Sequence, residues 1–125
     1  MVELKGYHAH VYFDAATRAT AERLRDALAA NFAVEPGPFA DGPRGPHPIP
    51  QFNVIFEEPE FQKIVPWLML NREGLDVLVH PLTPSNYDDH SKYAIWLGNP
   101  VPLRLERLSK QLPQELLPTA QQAKA

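Results

Sequence analysis

Along three stretches of the chain apolar residues alternate with polar ones at a period of two, the mark of strands with one buried face. In segment 4–13, Tyr7, Ala9, Val11 and Phe13 fall on one side, and His8, His10 and Tyr12 on the other. In 47–56, Phe52, Val54 and Phe56 oppose His47, Ile49, Gln51, Asn53 and Ile55. In 75–80, Leu75, Val77 and Val79 oppose Asp76, Leu78 and His80. Each time the greasier face is the one without histidine.

Two other stretches repeat at helical spacing. Over 15–31, Ala16, Ala19, Leu24, Leu28 and Ala29 make an apolar stripe with Phe32 near its end. Arg18, Glu22, Arg25 and Asp26 make its wet side, and Asp14 can cap the start. Over 58–72 the stripe is Phe61, Ile64, Val65, Leu68 and Met69. Pro59 suits a first turn, whereas Pro66 lies inside and predicts a kink or a split. Glu73-Gly74 ends that helix. A short strand is expected at 32–35 and a last one at 101–108, while 93–97 is apolar but of ambiguous class. Three glycines and four prolines in 36–46 rule out a regular element there. Pro48 and Pro50 remove ladder donors, so the strand that starts near His47 begins irregularly and pairs normally only from Gln51 to Glu57.

The order is β-α-β-β-α-β with a C-terminal extension, which predicts an α+β, ferredoxin-like domain over 1–108. Its antiparallel sheet should carry both helices on one face, with strands one and three at the centre and strand four beside strand one. The helices cover the apolar face, so the histidines are expected on an open face. His80 should lie near His8 and His10, and His47 nearer the other end of strand one. The Gln-, Ala- and Pro-rich stretch 109–125 reads as a loosely ordered tail.

Composition narrows the chemistry. The 125 residues include no cysteine, which excludes disulfides, thiolate metal sites and cysteine nucleophiles. Twelve basic against 15 acidic residues give a net charge of −3, with no basic stripe for phosphates, so nucleic acid is not an expected partner. No apolar run reaches the roughly 18 residues of a membrane span, so a cytoplasmic protein without a membrane partner is expected. A transition metal would have to be held by imidazole, carboxylate and water.

His8-Ala9-His10 puts two imidazoles on one strand face, about 6–7 Å apart at Cα and able to reach one ion. His80, arriving from the neighbouring strand, makes a third. The plainer reading is that these rings only hydrogen-bond their neighbours. His47 is held by Gly45, Pro46 and Pro48 and is either aimed at a ligand or a proline-flanked edge residue. Asp88 and Asp89 suit a helix cap better than a ligand, and His90 beside them is as readily solvated as active. Tyr12, Gln51 and Asn53 share the histidine face and could orient a polar ligand. Arg72 could grip a carboxylate, or simply be a cation at a helix C-terminus. Asp76 shares the parity of His80 but lies a strand length away, so no carboxylate stands beside the histidine face.

Tyr7-His8-Ala9-His10-Val11-Tyr12-Phe13, Gly45-Pro46-His47-Pro48, Trp67-Leu68-Met69-Leu70-Asn71-Arg72, Leu78-Val79-His80-Pro81, Asp89-His90 and Trp96-Leu97-Gly98 together resemble the fungal-type DOPA 4,5-dioxygenase family, which also has bacterial members. The resemblance runs from about residue 6 to 108. It implies an extradiol-type dioxygenase that cuts a catechol such as 3,4-dihydroxyphenylalanine with O₂ at non-haem Fe(II), with zinc a possible occupant of purified protein. All five histidines fall in its motifs. Such chemistry commonly uses two histidines and a carboxylate. Here the expected metal set is His8, His10 and His80, with His47 or His90 as the acid/base group and Tyr12, Asn53 and Arg72 toward substrate. The competing readings are a non-catalytic metal- or small-molecule-binding protein, and an interaction module. The histidine face is too polar for a plain dimer interface, which leaves a homodimer through helix edges or the tail.

Overall fold

A computed structural model describes residues 2–108. The expected tail, 109–125, lies outside the described residues. The elements run β1 (Tyr7–Tyr12), α1 (Arg18–Asn31), β2 (Glu35–Pro36), β3 (Gln51–Phe56), α2 (Glu58–Asn71), β4 (Val77–Pro81), α3 (Asn86–Asp89) and β5 (Ile95–Leu97), then a 3-10 turn at Leu105–Arg107. The sheet order is β2-β3-β1-β4-β5, with every pair antiparallel. This is the ferredoxin-like arrangement expected, with β5 added beyond β4.

The period-two pattern sorts the two faces as read from the sequence. Ala9, Val11, Phe13, Phe52, Val54, Phe56, Val77 and Val79 pack against Ala21, Leu24 and Leu28 of α1 and Ile64 and Leu68 of α2. Burying each Val, Leu, Ile or Phe side chain is worth about 1.5–3 kcal/mol, so this layer supplies most of the drive to fold. The opposite face holds a second, smaller cluster of Tyr12, Leu78 and Val101, with Ala94, Trp96 and Leu103 packed around it.

Four expectations need correction. The histidine face is not open: Val101, Leu103 and the segments bearing His47 and His90 cover it. Residues 101–108 form no strand. Pro102 lacks a ladder donor, and the Arg104 amide bonds the Pro46 carbonyl at 2.8 Å, which directs this segment across the sheet's face. Strand three begins at Gln51 rather than near His47, and His47 forms an isolated bridge with Arg44. Pro66 does not split α2, which is continuous from Glu58 to Asn71. Pro66 and Gln62 are both exposed, so the Gln62 carbonyl left without an amide partner faces water.

Smaller shifts follow local chemistry. Asp14 caps the turn before α1, accepting from the Thr17 amide at 3.0 Å, and the helix starts at Arg18. Glu73 and Gly74 take positive φ, 50° and 81°, and so close α2 and turn the chain into β4. The ambiguous 93–97 stretch supplies β5, paired to β4 with Leu78 opposite Trp96.

Candidate metal centre

Pairing register assembles the site. Across β1 and β4, His8 faces His80 and His10 faces Leu78; across β1 and β3, His10 faces Asn53 and Tyr12 faces Gln51. Three histidines, a tyrosine and two carboxamides therefore share one patch of pleated surface. His47 enters from the loop before β3, and its ring centroid lies 4.2 Å from that of His10. His90, at the end of α3, comes within 4.0 Å of His80 by the same measure. All five rings meet, and all are sealed: His8, His10 and His47 are 0 % exposed, His80 1 % and His90 2 %.

The loop that delivers His90 is built by short polar contacts. The Ser85 hydroxyl accepts from the Asp88 amide at 3.2 Å and starts α3. The buried Asp89 carboxylate accepts from both the amide and the hydroxyl of Thr83, which folds the segment back on itself. Asp89 thus shapes the loop rather than capping 91–97.

The ring nitrogens decide what this cluster can bind. His10 Nδ1 lies 2.9 Å from Gln51 Oε1, His80 Nδ1 2.8 Å from the Pro81 carbonyl and His90 Nδ1 2.8 Å from the Asn86 carbonyl. A backbone carbonyl only accepts, so His80 and His90 carry the proton on Nδ1 and present a lone pair on Nε2; His10 does the same with the Gln51 amide oxygen turned to its Nδ1. Yet His10 Nε2 and His80 Nε2 stand 3.1 Å apart. With both lone pairs facing each other, a cation between or beside them relieves the repulsion. A proton is disfavoured, because burial and the neighbouring imidazoles hold His10 and His80 well below the usual histidine range. His8 is lowered in the same way, by burial first and then by His90 and His47. Neither of its ring nitrogens has a hydrogen-bond partner among the described residues, a costly state for a buried polar group.

A metal ion could take the facing nitrogens of His10 and His80 and one ring nitrogen of His8. Two nitrogens each about 2.1 Å from one ion stand ~3.0–3.4 Å apart at octahedral or tetrahedral angles, which brackets the observed separation. Two groups of three are compact enough, with ligand atoms within 4.8 Å of one another: His8, His10 and His80, and His10, His47 and His90. Both consist of histidine alone. His10 belongs to both.

The remaining candidates divide. Tyr12 joins the cluster, its hydroxyl 2.8 Å from His47 Nδ1. Asn53 is buried beside His10, and neither of its amide atoms has a partner among the described residues. Gly37 packs against it so closely that a Cβ there would stand 2.1 Å from Asn53 Oδ1. Arg72 is not brought in. Its guanidinium donates to the Leu75 carbonyl at 2.9 Å in the turn before β4, whereas His80 is near that strand's far end. Asp76, also away from the rings, accepts from the Asn99 amide at 2.8 Å. Gln51 serves His10 rather than a ligand. The carbonyls of Pro81 and Asn86 were not foreseen, since backbone acceptors leave no signal in residue identity.

Fold and site together define a small α+β protein with a buried all-histidine centre. The chain matches the Dopa 4,5-dioxygenase family over residues 7–107 and belongs to it. It is 35 % identical over 115 residues to DOPA 4,5-dioxygenase of Amanita muscaria, an alignment covering 85 % of this chain and 50 % of that protein. It is 40 % identical over 85 residues to an uncharacterized 21.2 kDa protein of Botryotinia fuckeliana, covering 62 % and 46 %. The chain thus spans about half the length of these curated relatives. The crystal structure of a "putative dioxygenase" from Nostoc punctiforme superposes with a TM-score of 0.82 at 52 % identity, over 83 % of this chain and 90 % of that one.

Proposed function

We propose that this chain is a metal-dependent dioxygenase of the extradiol type, which opens a catechol such as 3,4-dihydroxyphenylalanine beside one of its hydroxyls with O₂. The observation that carries the reading is the pair of Nε2 atoms of His10 and His80, 3.1 Å apart in a buried cluster whose two candidate ligand sets are histidine alone. Membership of the Dopa 4,5-dioxygenase family supports the same reaction.

His8, His10 and His80 would hold the ion, non-haem Fe(II). Bound there, the metal supplies the Lewis-acid and redox chemistry that lets O₂ react with an electron-rich ring. The protein's own groups do the rest. Gln51 and the Pro81 carbonyl fix the orientation of His10 and His80. His47 or His90, whose rings pack against His10 and His80, would serve as the acid/base group toward a catechol hydroxyl. Asn53 offers a buried carboxamide to the substrate's other polar group. The sealed rings require the covering segments to part when substrate enters, and to exclude water once it is in place.

That sealing favours one second reading, a non-catalytic zinc site on the same scaffold, because structural sites are closed and catalytic ones keep a position open. Anaerobic reconstitution with Fe(II), followed by aerated buffer and a panel of catechols, separates the two. O₂ uptake with a yellow ring-opened product is expected. Stoichiometric metal with no O₂ uptake on any catechol would move the protein to the zinc-site reading.

A further inference from the structure

Asn53 is fully buried, yet among the described residues neither its amide oxygen nor its amide nitrogen has a hydrogen-bond partner. A carboxamide left in that state destabilises the fold, and most buried polar groups find a partner. The Asn53 carbonyl accepts from the Gly37 amide at 2.7 Å, on the side of β3 away from β1. His10 and Asn53 therefore face each other as a non-hydrogen-bonded pair, the kind whose side chains stand closest, with Cβ atoms about 4.5–5.5 Å apart. On the same row of β3, Gln51 is already bonded to His10, and Ile55 has no polar side-chain atom to offer.

Gly37 sets where this carboxamide can lie. A Cβ at residue 37 would collide with Asn53 Oδ1 and stand 3.2 Å from Asn53 Cγ. Four of the six glycines take positive φ, and Gly37 is not among them, so its backbone is one that any residue adopts. What glycine provides there is space. Nor can Gly37 retreat: its amide is tied to Asn53, and its carbonyl accepts from Arg25 Nε at 3.0 Å. Arg25 in turn lies over the Phe39 ring.

We propose that Asn53 selects a 1,2-diol: its carboxamide hydrogen-bonds one of the two vicinal oxygens of a catechol bound beside His10, with Gly37 as the positioning residue that leaves it room. The inference rests on the catechol reading above and deepens it. A carboxamide suits the task because it both donates and accepts, and so pairs with a hydroxyl or with the oxyanion that hydroxyl becomes, without taking a charge of its own. A monophenol with its single oxygen at the metal leaves the buried carboxamide unpaired again. Losing such a partner is worth roughly 5–150-fold in binding, the equivalent of about 1–3 kcal/mol. The amino-acid chain of a substrate such as 3,4-dihydroxyphenylalanine lies across the ring from both oxygens and is not read by Asn53.

Titration of the anaerobic, Fe(II)-loaded full chain with 4-nitrocatechol and with 4-nitrophenol, followed by absorbance, tests it. Wild type should favour the catechol. Asn53→Val keeps apolar bulk on the strand without the amide; it should retain one iron per chain and lose at least about fivefold of that preference. Gly37→Ala should lower the preference in the same direction. Urea unfolding of chelated Asn53→Val protein gives a reading independent of iron: its midpoint should equal or exceed that of wild type, since no side-chain bond among the described residues is lost. A smaller loss of preference in Asn53→Val overturns the proposal and leaves the metal reading standing. A lower urea midpoint overturns it as well, by marking the carboxamide as a structural tie, and so does loss of iron from this variant. An unchanged preference in Gly37→Ala removes the positioning role. Iron-loaded wild type that binds no nitrocatechol would sink the catechol reading, and the inference with it.

Discussion

Replacing Gln51 with Leu would remove the acceptor behind His10 while keeping nearly the same volume. Gln51 and His10 are both buried, and their bond is 2.9 Å long, so water cannot take over the lost contact. The His10 Nδ1–H would then be left unpaired, which costs about 1–3 kcal/mol of folding stability. At ~4–8 °C per kcal/mol for a domain of this size, the metal-free protein should melt several degrees lower. The effect on metal is separate. Without Gln51 the ring is free to place its proton on either nitrogen, and Nε2 is no longer held as the lone pair facing His80. Loss of such outer partners costs about 10–100-fold in metal affinity, or ~1.4–2.7 kcal/mol. Chelator competition with zinc would measure the affinity, and urea unfolding of the chelated protein the stability. An affinity within twofold of wild type, alongside the expected fall in stability, would refute the tautomer reasoning and leave Gln51 as a packing residue.

Three further expectations follow from the same structure. His8, His10 and His80 are held neutral in the fold, so acid protonates the unfolded chain first; the chelated protein should lose stability as pH falls below about 6.5, by up to ~4 kcal/mol for the three together at pH 5.5, and keep it above neutrality. Urea midpoints across pH 5–8 check this, and a flat profile would contradict it. Gly37→Ala drives a methyl into Asn53 Oδ1, so a loss of about 1–3 kcal/mol is expected by urea unfolding, against the small gain that the same change gives at an unhindered site. Pro66→Ala restores an amide to an exposed helix interior and should raise stability by about 2 kcal/mol, read as a higher melting temperature; no gain would mean the helix is distorted there after all.

The parts of this site that the sequence displayed are those governed by period and register. Alternation in 7–12 put His8 and His10 on one face, and antiparallel pairing of β4 with β1 brought His80 opposite His8. The closure of that face was hidden because its cover has no period: the proline-rich loop bearing His47, the short α3 turn bearing His90 and the segment from Val101 to Leu103. Val101, Leu103 and Leu105 alternate like a strand, yet Pro102 forbids the ladder, and Val101 and Leu103 pack with Tyr12 and Leu78 instead. Pro66 suggested a break that an exposed carbonyl did not require. The sorting of ring nitrogens was out of reach for a different reason. It depends on the carbonyls of Pro81 and Asn86 and on where Gln51 and Tyr12 point, none of which residue identity encodes.

X-ray absorption at the iron edge of anaerobically Fe(II)-loaded protein, wild type beside His80→Ala, bears most directly on the buried histidine centre. Three imidazole nitrogens at about 2.1 Å in the wild type, with iron lost or one imidazole fewer in the variant, is the expected result. Wild-type protein that holds no iron, or iron whose first shell contains no imidazole, would contradict it.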